Sequence, residues 1–226
     1  MATRAKPDGR EHGSTYPLLG ILVLVLVLAP LLPSVGAPGL ALDFLLTSVI
    51  FGAFWVVHRD PRRFLAVAAA GASAVALLWA ARATALPLLL IAALLVFAST
   101  LIYVVATLLR LVLRARRVSL DTVSGAIAAY LMLAHVWASV FALVELLAPG
   151  SFRGGGAPVI ADAHPLEAML YYALVTLTTV GYGDIVPVTP LARNLAALCA
   201  VSGQMYVAVL VAALVARFVA RDVREG

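Results

Sequence analysis

The residues with the most distinctive chemistry form one short run, residues 178–184, with the sequence TTVGYGD. The atoms that could bind a ligand are oxygens, namely the backbone carbonyls from Thr179 to Tyr182 and the hydroxyl of Thr179. Such oxygens can replace the water shell of a cation when they are stacked as rings. Pointing successive carbonyls to one side requires backbone angles that L-residues resist, which explains Gly181 and Gly183. The chemistry that such a run could perform is the binding of a dehydrated cation through its backbone.

The other reactive side chains form no set that suggests catalysis. No nucleophile–base arrangement and no metal-ligand cluster appears in the sequence, so an enzyme is not expected. The single cysteine, Cys199, lies in an apolar stretch and is interpreted as a small buried side chain. His135 lies in another apolar stretch and is interpreted as a neutral histidine bonded between helices. A functional role for this intramembrane ionisable group stays open.

The elements that must position this run are strongly apolar. Of 226 residues, 64% are hydrophobic and 12% are charged. A soluble chain of this size buries only about 70–75% of its surface, so lipid is the expected solvent. Crossing the hydrocarbon takes about 20 apolar residues. Six stretches reach that length, at roughly 17–36, 39–57, 64–82, 86–109, 122–148 and 190–216.

The basic residues indicate an orientation. If all six stretches cross, 13 of the 16 basic residues fall on one side. They are Arg4, Lys6, Arg10, Arg59, Arg62, Arg63, Arg110, Arg114, Arg116, Arg117, Arg217, Arg221 and Arg224. Positive charge marks the cytoplasmic side, so both termini are predicted to be cytoplasmic. The net charge of +5 is interpreted mostly as a mark of the side that faces the cytoplasm, and nucleic acid is not an expected partner.

A shorter helix is predicted directly before the cation-binding run. The loop from Pro149 to Ala163 is rich in glycine and reads as an exposed turret. Pro165 then suits the first position of a helix, and Glu167 suits its positive N-terminal end. Ending near Leu177, this helix has about 13 residues and a length of ~20 Å, too short to span a bilayer. It is interpreted as a re-entrant half-helix buried in protein.

In this context the residues TVGYG at 179–183 resemble the selectivity filter of the tetrameric potassium-channel superfamily. The similarity covers residues 122–217, and the sequence GQMYVAVLV at 203–211 resembles small bacterial six-helix potassium channels without a cytoplasmic domain. The resemblance implies an all-α membrane protein with six transmembrane helices, a re-entrant pore helix and a selectivity-filter loop. One chain supplies one filter strand and a ring needs four, so a homotetramer is implied. The implied function is passive, potassium-selective conduction, with K+ as the permeant ion and no cofactor.

The resemblance also assigns roles to individual residues. The ion-binding residues of the filter are Thr179, Val180, Gly181, Tyr182 and Gly183. The residues that support the filter are Thr178, Asp184, Tyr171, Tyr172 and Glu145. The residues of the gating hinge and the cavity are Gly203, Gln204, Val207 and Val211.

Two of the supporting tyrosines are expected to brace the filter. Tyr171 and Tyr172 stand where many relatives have paired tryptophans. This position implies an aromatic cuff around Tyr182, with one hydroxyl bonded to Asp184. An interfacial aromatic belt is the alternative.

Glu145 corresponds to a glutamate near the outer end of the fifth helix of voltage-gated relatives. The resemblance implies that it bonds backbone amides at the start of the inner helix, at Val188 or Thr189. A carboxylate that snorkels to the surface is the alternative.

The inner helix is expected to carry the gate. Gly203 matches the hinge glycine of the superfamily. Gln204, Val207 and Val211 share one helical face, which lines the cavity or serves packing.

Four domains are predicted along the chain. They are a cytoplasmic N-terminal arm (1–16), a four-helix sensor-like membrane domain (17–117), a pore domain (118–217) and a short cytoplasmic tail (218–226). A voltage sensor needs several arginines within the membrane field, and residues 88–109 have none. Steep voltage gating is therefore not expected, and the gating stimulus stays open. The segment from Arg110 to Asp121 is interpreted as an amphipathic linker along the inner membrane face.

The predicted location is the bacterial plasma membrane, with membrane lipid, K+ and further copies of the chain as partners. Two other functions stay open. A subunit of a potassium uptake transporter would need several unequal pore-like repeats in one chain, and one is present. A channel-like protein that does not conduct is the other.

Overall fold

The computed structural model describes residues 15–28, 61–84, 86–115, 119–155, 157–158 and 165–225. In this part of the chain the helices are α1 (Tyr16–Leu28), α2 (Pro61–Thr84), α3 (Pro87–Arg114), α4 (Leu120–Leu147), α5 (Pro165–Leu177) and α6 (Pro190–Glu225). The short strands are β1 (Phe152–Gly154), β2 (Ala157–Pro158) and β3 (Ile185–Pro187). The predicted second span, residues 39–57, and the end of the first span lie outside the described residues.

Four of these helices, α2, α3, α4 and α6, are long and apolar enough to cross a membrane. Each overlaps one of the predicted spans. α1 has 13 residues in the described part, and α5 also has 13, so both are shorter than a full crossing. The mostly helical architecture is that of an all-α membrane protein.

α3 and α4 are joined by a short connection. α3 continues to Arg114 and α4 begins at Leu120, so residues 115–119 link them. The predicted amphipathic linker from Arg110 to Asp121 is therefore wrong, because its two ends belong to α3 and α4. The reason is packing: Val112 is 5% exposed and its side chain lies against α4 at Gly125.

α4 begins at a well-formed cap and then forms the centre of the fold. The Ser119 hydroxyl accepts from the Thr122 backbone N–H at 3.2 Å, and the Thr122 hydroxyl accepts from the Ser119 N–H at 3.5 Å. This reciprocal arrangement satisfies two N–H groups at the start of the helix. Small residues then line the buried surface of α4 and let neighbouring helices approach closely, among them Ala126, Ala128, Ala129, Ala134 and Ala138.

The start of α1 is bonded to the start of α4. The Thr15 hydroxyl donates to the Asp121 backbone carbonyl at 2.7 Å. The Thr15 backbone N–H is also bonded to the Asp121 carboxylate. Leu18, Leu22 and Val25 of α1 are buried, at helical spacing along one face. These contacts hold α1 against α4.

A small sheet contains two strands from the segment between α4 and α5, where the sequence predicts an exposed turret, and one strand that follows α5. Its strand order is β2-β1-β3, with both pairings antiparallel. In the β1–β3 register Phe152 lies opposite Pro187 and Gly154 lies opposite Ile185. Phe152 is fully buried, and so anchors the sheet on the core. The sheet ties the segment before α5 to the residues that lead into α6.

Candidate functional site

The helix α5 positions residues 178–184. Its buried residues Met169, Ala173 and Leu177 follow helical spacing, and the face they form packs against α4. Pro165 is the first helical residue and Glu167 lies in the first turn, as the predicted short helix requires. The C-terminal end of α5, where the carbonyl groups carry partial negative charge, faces the start of the run.

The chain turns back on α5 as it enters this run. The N–H groups of Thr178 and Thr179 donate to carbonyls of the last turn of α5, both at 3.0 Å. The N–H groups of Val180 and Gly181 both donate to the Val175 carbonyl, at 3.0 and 3.3 Å. In a trans peptide the N–H and the preceding C=O point in opposite directions. The carbonyls of Thr179 and Val180 therefore point away from α5.

Every second residue of the run has a left-handed backbone. The φ angle is 59° at Thr179, 58° at Gly181 and 77° at Gly183. Alternating the hand at successive residues keeps their carbonyls on one side, whereas a strand would alternate them. Two of the three positions are glycines, which adopt positive φ without a Cβ penalty. This arrangement provides a row of backbone oxygens on one face.

Thr179 carries the strain of this arrangement. Among the residues that the structure describes, it is the one non-glycine with a positive φ. For an L-residue the left-handed conformation costs about 1–2 kcal/mol, and β-branched residues adopt it rarely. Its side-chain hydroxyl accepts a hydrogen bond from Nε2 of Gln204 at 3.3 Å. The helix α6 therefore contacts the run at its most strained residue.

Tyr171 and Asp184 link α5 to the end of the run. The Tyr171 hydroxyl donates to Oδ2 of Asp184 at 2.5 Å, and the Ile185 backbone N–H donates to Oδ1 at 3.0 Å. The bond from Tyr171 is the main reason that the pKa of Asp184 lies below its usual value. The same bond is the largest cause raising the pKa of Tyr171 to about 12. The carboxylate thus holds the turn after Gly183 against α5.

Tyr172 lies in an aromatic cluster. Its ring centroid is 5.1 Å from that of Phe141 and 5.3 Å from that of Phe152, both in edge-to-face geometry. Phe141 and Phe152 are also in contact, at 5.4 Å. The cluster joins α4, α5 and β1, and Tyr172 is 6% exposed there. Its expected contact with Tyr182 stays a prediction.

Glu145 is fully buried near the C-terminal end of α4, and its partners differ from those expected. Its two carboxylate oxygens accept the backbone N–H groups of Gly150 and Phe152, both at 2.8 Å. The expectation of bonds to the amides of Val188 or Thr189 is therefore wrong. The Val188 N–H instead donates to the Ser151 carbonyl at 2.8 Å. The carboxylate is therefore linked to the residues before α6 through the turn that contains Ser151.

Gly203 is required by close packing. A Cβ atom at this position would lie 2.1 Å from the carbonyl oxygen of Leu177, the last residue of α5. The same carbonyl accepts a hydrogen bond from the Tyr130 hydroxyl of α4 at 3.0 Å. α6 is one continuous helix through Gly203. The hinge role implied by the resemblance stays a prediction, and the structure adds a packing reason for the glycine.

Val207 and Val211 lie on α6 on the same side as Gln204, at spacings of three and four residues. Their side chains are 47% and 52% exposed in the single chain. Val180 and Tyr182 of the run are also exposed, at 52% and 72%. The run and this face of α6 therefore form one uncovered surface.

Several residues that hold the site together were not predicted from the sequence. Tyr130 bonds Leu177, the Tyr206 hydroxyl donates to the Ala126 carbonyl at 2.6 Å, and Trp137 donates to the Ser202 hydroxyl at 2.9 Å. All three link α4 to α5 or α6. Tyrosine and tryptophan within apolar stretches are the one available signal, since their polar atoms need partners when buried.

This part of the chain is similar to known ion channels. Residues 128–220 match the family model described as "Ion channel". The chain is 37% identical over 67 residues to Two pore potassium channel c of Oryza sativa subsp. japonica, covering 30% of the chain and 14% of that protein. It is 42% identical over 53 residues to Potassium voltage-gated channel protein shk-1 of Caenorhabditis elegans, covering 24% and 10%. No solved structure shows a significant match.

A third relative is also a potassium channel protein. The human Potassium voltage-gated channel subfamily A member 10 is 44% identical over 48 residues, which is 21% of the chain and 9% of that protein. The chain thus spans a seventh or less of the length of these curated relatives. Residues 128–220, which match the family model, run from α4 through α5 to α6 and include the run and the helices that position it. Together with the apolar helices, the match indicates a multi-pass membrane protein with an ion-channel segment.

Proposed function

We propose that the protein is a potassium-selective ion channel that conducts K+ passively. The observation that carries the proposal is the left-handed backbone at Thr179, Gly181 and Gly183, with the N–H groups of Val180 and Gly181 bonded to the Val175 carbonyl of α5. Stacked carbonyl oxygens on one face are the ligands that replace the hydration shell of K+. The similarity of residues 128–220 to ion channels supports the same function and disfavours an enzyme.

In this proposal residues 179–183 are the selectivity filter and α5 is the pore helix. The Thr179 hydroxyl and the carbonyls of Thr179, Val180, Gly181 and Tyr182 coordinate the ions in turn. The C-terminal end of α5 directs its negative partial charge toward an ion below the filter.

The proposed functional unit is a homotetramer. One chain provides one row of oxygens, and a ring around an axis needs four. The uncovered surface is consistent with this, because Val180, Tyr182, Val207 and Val211 are about half exposed or more in the single chain. Apolar surface of this extent is expected to face lipid or a partner. We place the axis along the face that carries the filter and Gln204.

The proposed location is the bacterial plasma membrane, with both termini cytoplasmic. The support is the distribution of basic residues in the sequence. Membrane lipid and K+ are then the other partners.

We also propose that voltage does not steeply control this channel. Arg110 is the first basic residue of α3 and lies 23 positions after Pro87, a distance of about 35 Å along the helix. The hydrocarbon layer is about 30 Å thick, so this charge lies at or beyond its edge. Gating charge must move through the membrane field to contribute about 2.3 kcal/mol per 100 mV.

Flux through liposomes tests the function. The full chain, purified and reconstituted with a K+ gradient, should give a potential that follows K+ while Na+ is largely excluded. Empty liposomes are the control for leakage. Equal permeation of K+ and Na+ would overturn selectivity, and absence of flux from correctly assembled protein would overturn conduction. Native mass spectrometry of the same sample should show four chains.

A further inference from the structure

One polar side chain of α6 reaches the inner end of the filter segment. Nε2 of Gln204 donates to Oγ1 of Thr179 at 3.3 Å. The resemblance assigns Gln204 only to the wall of the cavity or to its gate. The bond gives it a specific partner, which is the one side-chain oxygen among the proposed ion ligands.

Neighbouring contacts fix the position of Gln204. Its preceding residue, Gly203, lies so close to the Leu177 carbonyl that a Cβ would meet the oxygen at 2.1 Å. The Tyr130 hydroxyl bonds the same carbonyl from α4 at 3.0 Å. Leu177 ends α5 two residues before Thr179. Close packing at Gly203 therefore sets the distance over which Gln204 reaches Thr179.

The bond changes what the hydroxyl can offer to an ion. A threonine hydroxyl has one hydrogen and two lone pairs. When Gln204 donates to one lone pair, only the other is available to a cation, and the amide hydrogen brings positive charge close to the site. Both effects weaken cation binding at this oxygen. Because a Coulomb energy scales with the charge of the ion, a divalent cation is affected more than a monovalent one.

We propose that Gln204 is a positioning residue that lowers the cation affinity of the innermost filter site by donating to the Thr179 hydroxyl. This inference rests on the proposed channel function. Conduction requires binding that is strong enough for an ion to enter and weak enough for it to leave. Gln204 serves the second requirement, and it discriminates most strongly against divalent cations that would otherwise remain in the site.

Block by Ba2+ tests the proposal, since this divalent ion is close to K+ in radius. Ba2+ is applied from the cytoplasmic side to the full chain in planar bilayers. Gln204→Met keeps the length of the side chain and removes the donor, while Gln204→Asn keeps the carboxamide but shortens its reach. Both should be blocked at roughly three- to tenfold lower Ba2+ concentration than wild type, the range of a single hydrogen bond. Met205→Leu, on a different side of α6, should stay within about twofold of wild type.

Repeating Gln204→Met in two Thr179 variants shows whether Gln204 acts through Thr179. In Thr179→Ser the hydroxyl is kept, so Gln204→Met should still strengthen the block. In Thr179→Ala the hydroxyl is absent, so Gln204→Met should change the block little. If Thr179→Ala does not conduct, the serine background and the Gln204→Asn variant decide the outcome.

Two results would overturn this inference. A weaker block in Gln204→Met would mean that the Thr179 hydroxyl is the donor and Gln204 the acceptor. An unchanged block, with a less stable tetramer, would mean that Gln204 only holds α6 in place. Wild-type protein without K+ current would overturn the proposed function itself, whereas wild-type current with an unshifted block overturns this inference alone.

Discussion

Residues 120–225 use polar side chains differently from helices α2 and α3. In α2 and α3 each hydroxyl bond returns to a carbonyl three or four residues earlier in the same helix, as for Ser73, Thr84, Ser99, Thr100 and Thr107. In residues 120–225 many polar groups bond across elements. Examples are Tyr130 to Leu177, Trp137 to Ser202, Glu145 to Phe152, Tyr171 to Asp184 and Tyr206 to Ala126.

This difference shows where the structure is specified in detail. A hydroxyl bonded to its own helix does not depend on what packs against that helix, so α2 and α3 are arranged by apolar contacts that tolerate substitution. A bond between elements fixes a distance and a register. We therefore expect the region around residues 178–184 to be sensitive to changes of single atoms, and α2 and α3 to be tolerant.

The largest effect is expected for Gly203→Ala. The new Cβ would lie 2.1 Å from the Leu177 backbone oxygen, so α5 and α6 must separate. Overpacking of this kind costs about 3 kcal/mol or more, and we expect the tetramer and the current to be lost. A glycine that served only as a hinge would behave otherwise, because alanine favours a helix by about 1 kcal/mol.

The matched control is Gly20→Ala in α1. A Cβ at Gly20 meets no atom within 4 Å, so this variant should be neutral or more stable by about 0.5–1 kcal/mol. Thermal unfolding in detergent and tetramer yield measure both. If Gly203→Ala were as stable as Gly20→Ala, the close contact between α5 and α6 would be contradicted.

Gly181→Ala should abolish the current and leave the tetramer intact. A Cβ there meets no atom within 4 Å, but φ is 58°. Alanine in this conformation is strained by about 1–2 kcal/mol, and relaxing the strain turns a carbonyl away from the proposed ion path. Liposome flux and native mass spectrometry report the two properties separately.

Gly150→Ala provides the control for strain alone. Its φ is 85°, it also has open space around a Cβ, and it lies in the turn after α4. We expect a similar loss of stability with the current preserved. Current through Gly181→Ala would show that residues 179–183 are not the conducting segment.

Glu145→Gln should destabilise the protein by about 1–3 kcal/mol per chain. Both carboxylate oxygens accept backbone N–H groups, and the amide nitrogen of glutamine would place a donor against one of them. Thermal unfolding measures the loss. Arg153 is an exposed residue of β1, so the free energy of unfolding of Arg153→Gln should stay within about 0.5 kcal/mol of wild type. Equal stability of the two variants would show that the buried carboxylate does not hold the turn.

Tyr171→Phe should shift the pH dependence of the current. The Tyr171 hydroxyl is the main cause that lowers the pKa of Asp184, so the bond stabilises fully above the ordinary carboxyl pKa of 3.8 and is lost as pH falls through the lowered pKa. Without the hydroxyl the pKa of Asp184 rises, so acidification of the outer side should reduce the current at a higher pH than in wild type.

The control variant removes the hydroxyl oxygen of a tyrosine in α3. Tyr103→Phe, on an exposed position of α3, should leave the pH profile unchanged. Currents recorded against external pH compare the three proteins. Overlapping profiles for Tyr171→Phe and wild type would mean that Asp184 does not respond to Tyr171.

The sequence predicts elements better than contacts, for a physical reason. The short helix from Pro165 to Leu177 was anticipated because a proline start, an acidic first turn and a limited apolar length are local signals. The pairing of β1 with β3 was not, because three residues on either side of α5 carry no periodic pattern. The predicted partners of Glu145 are wrong for the same reason, since the true partners depend on where β1 lies.

The contacts of the site show this limit most clearly. Tyr130 and Leu177 are 47 positions apart, and Gln204 and Thr179 are 25 apart. The sequence around Tyr130 does not predict its partner, because the bond exists only after α4, α5 and α6 have packed. By contrast Gly181 and Gly183 are explained by their own backbone angles, which are a local property.

The smallest effect is expected for Thr107→Val in α3, compared with Tyr130→Phe in α4. Each variant deletes one hydroxyl that donates to a backbone carbonyl, at 2.8 and 3.0 Å. The Tyr103 carbonyl that accepts from the Thr107 hydroxyl lies inside α3 and also accepts a backbone N–H of the helix. Loss of the hydroxyl should therefore lower the free energy of unfolding by less than about 0.5 kcal/mol. The Leu177 carbonyl ends α5, where helical N–H partners run out, so Tyr130→Phe should cost about 1 kcal/mol.

Unfolding of both variants under one set of conditions measures the difference directly. Tyr130→Phe should also alter Ba2+ block, because the Leu177 carbonyl is the contact that positions Gly203 and hence Gln204. Thr107→Val should leave both properties at wild-type values. If the two variants lost equal stability, a bond across elements would be no more specific than a bond within a helix, and the contrast between the two regions would not hold.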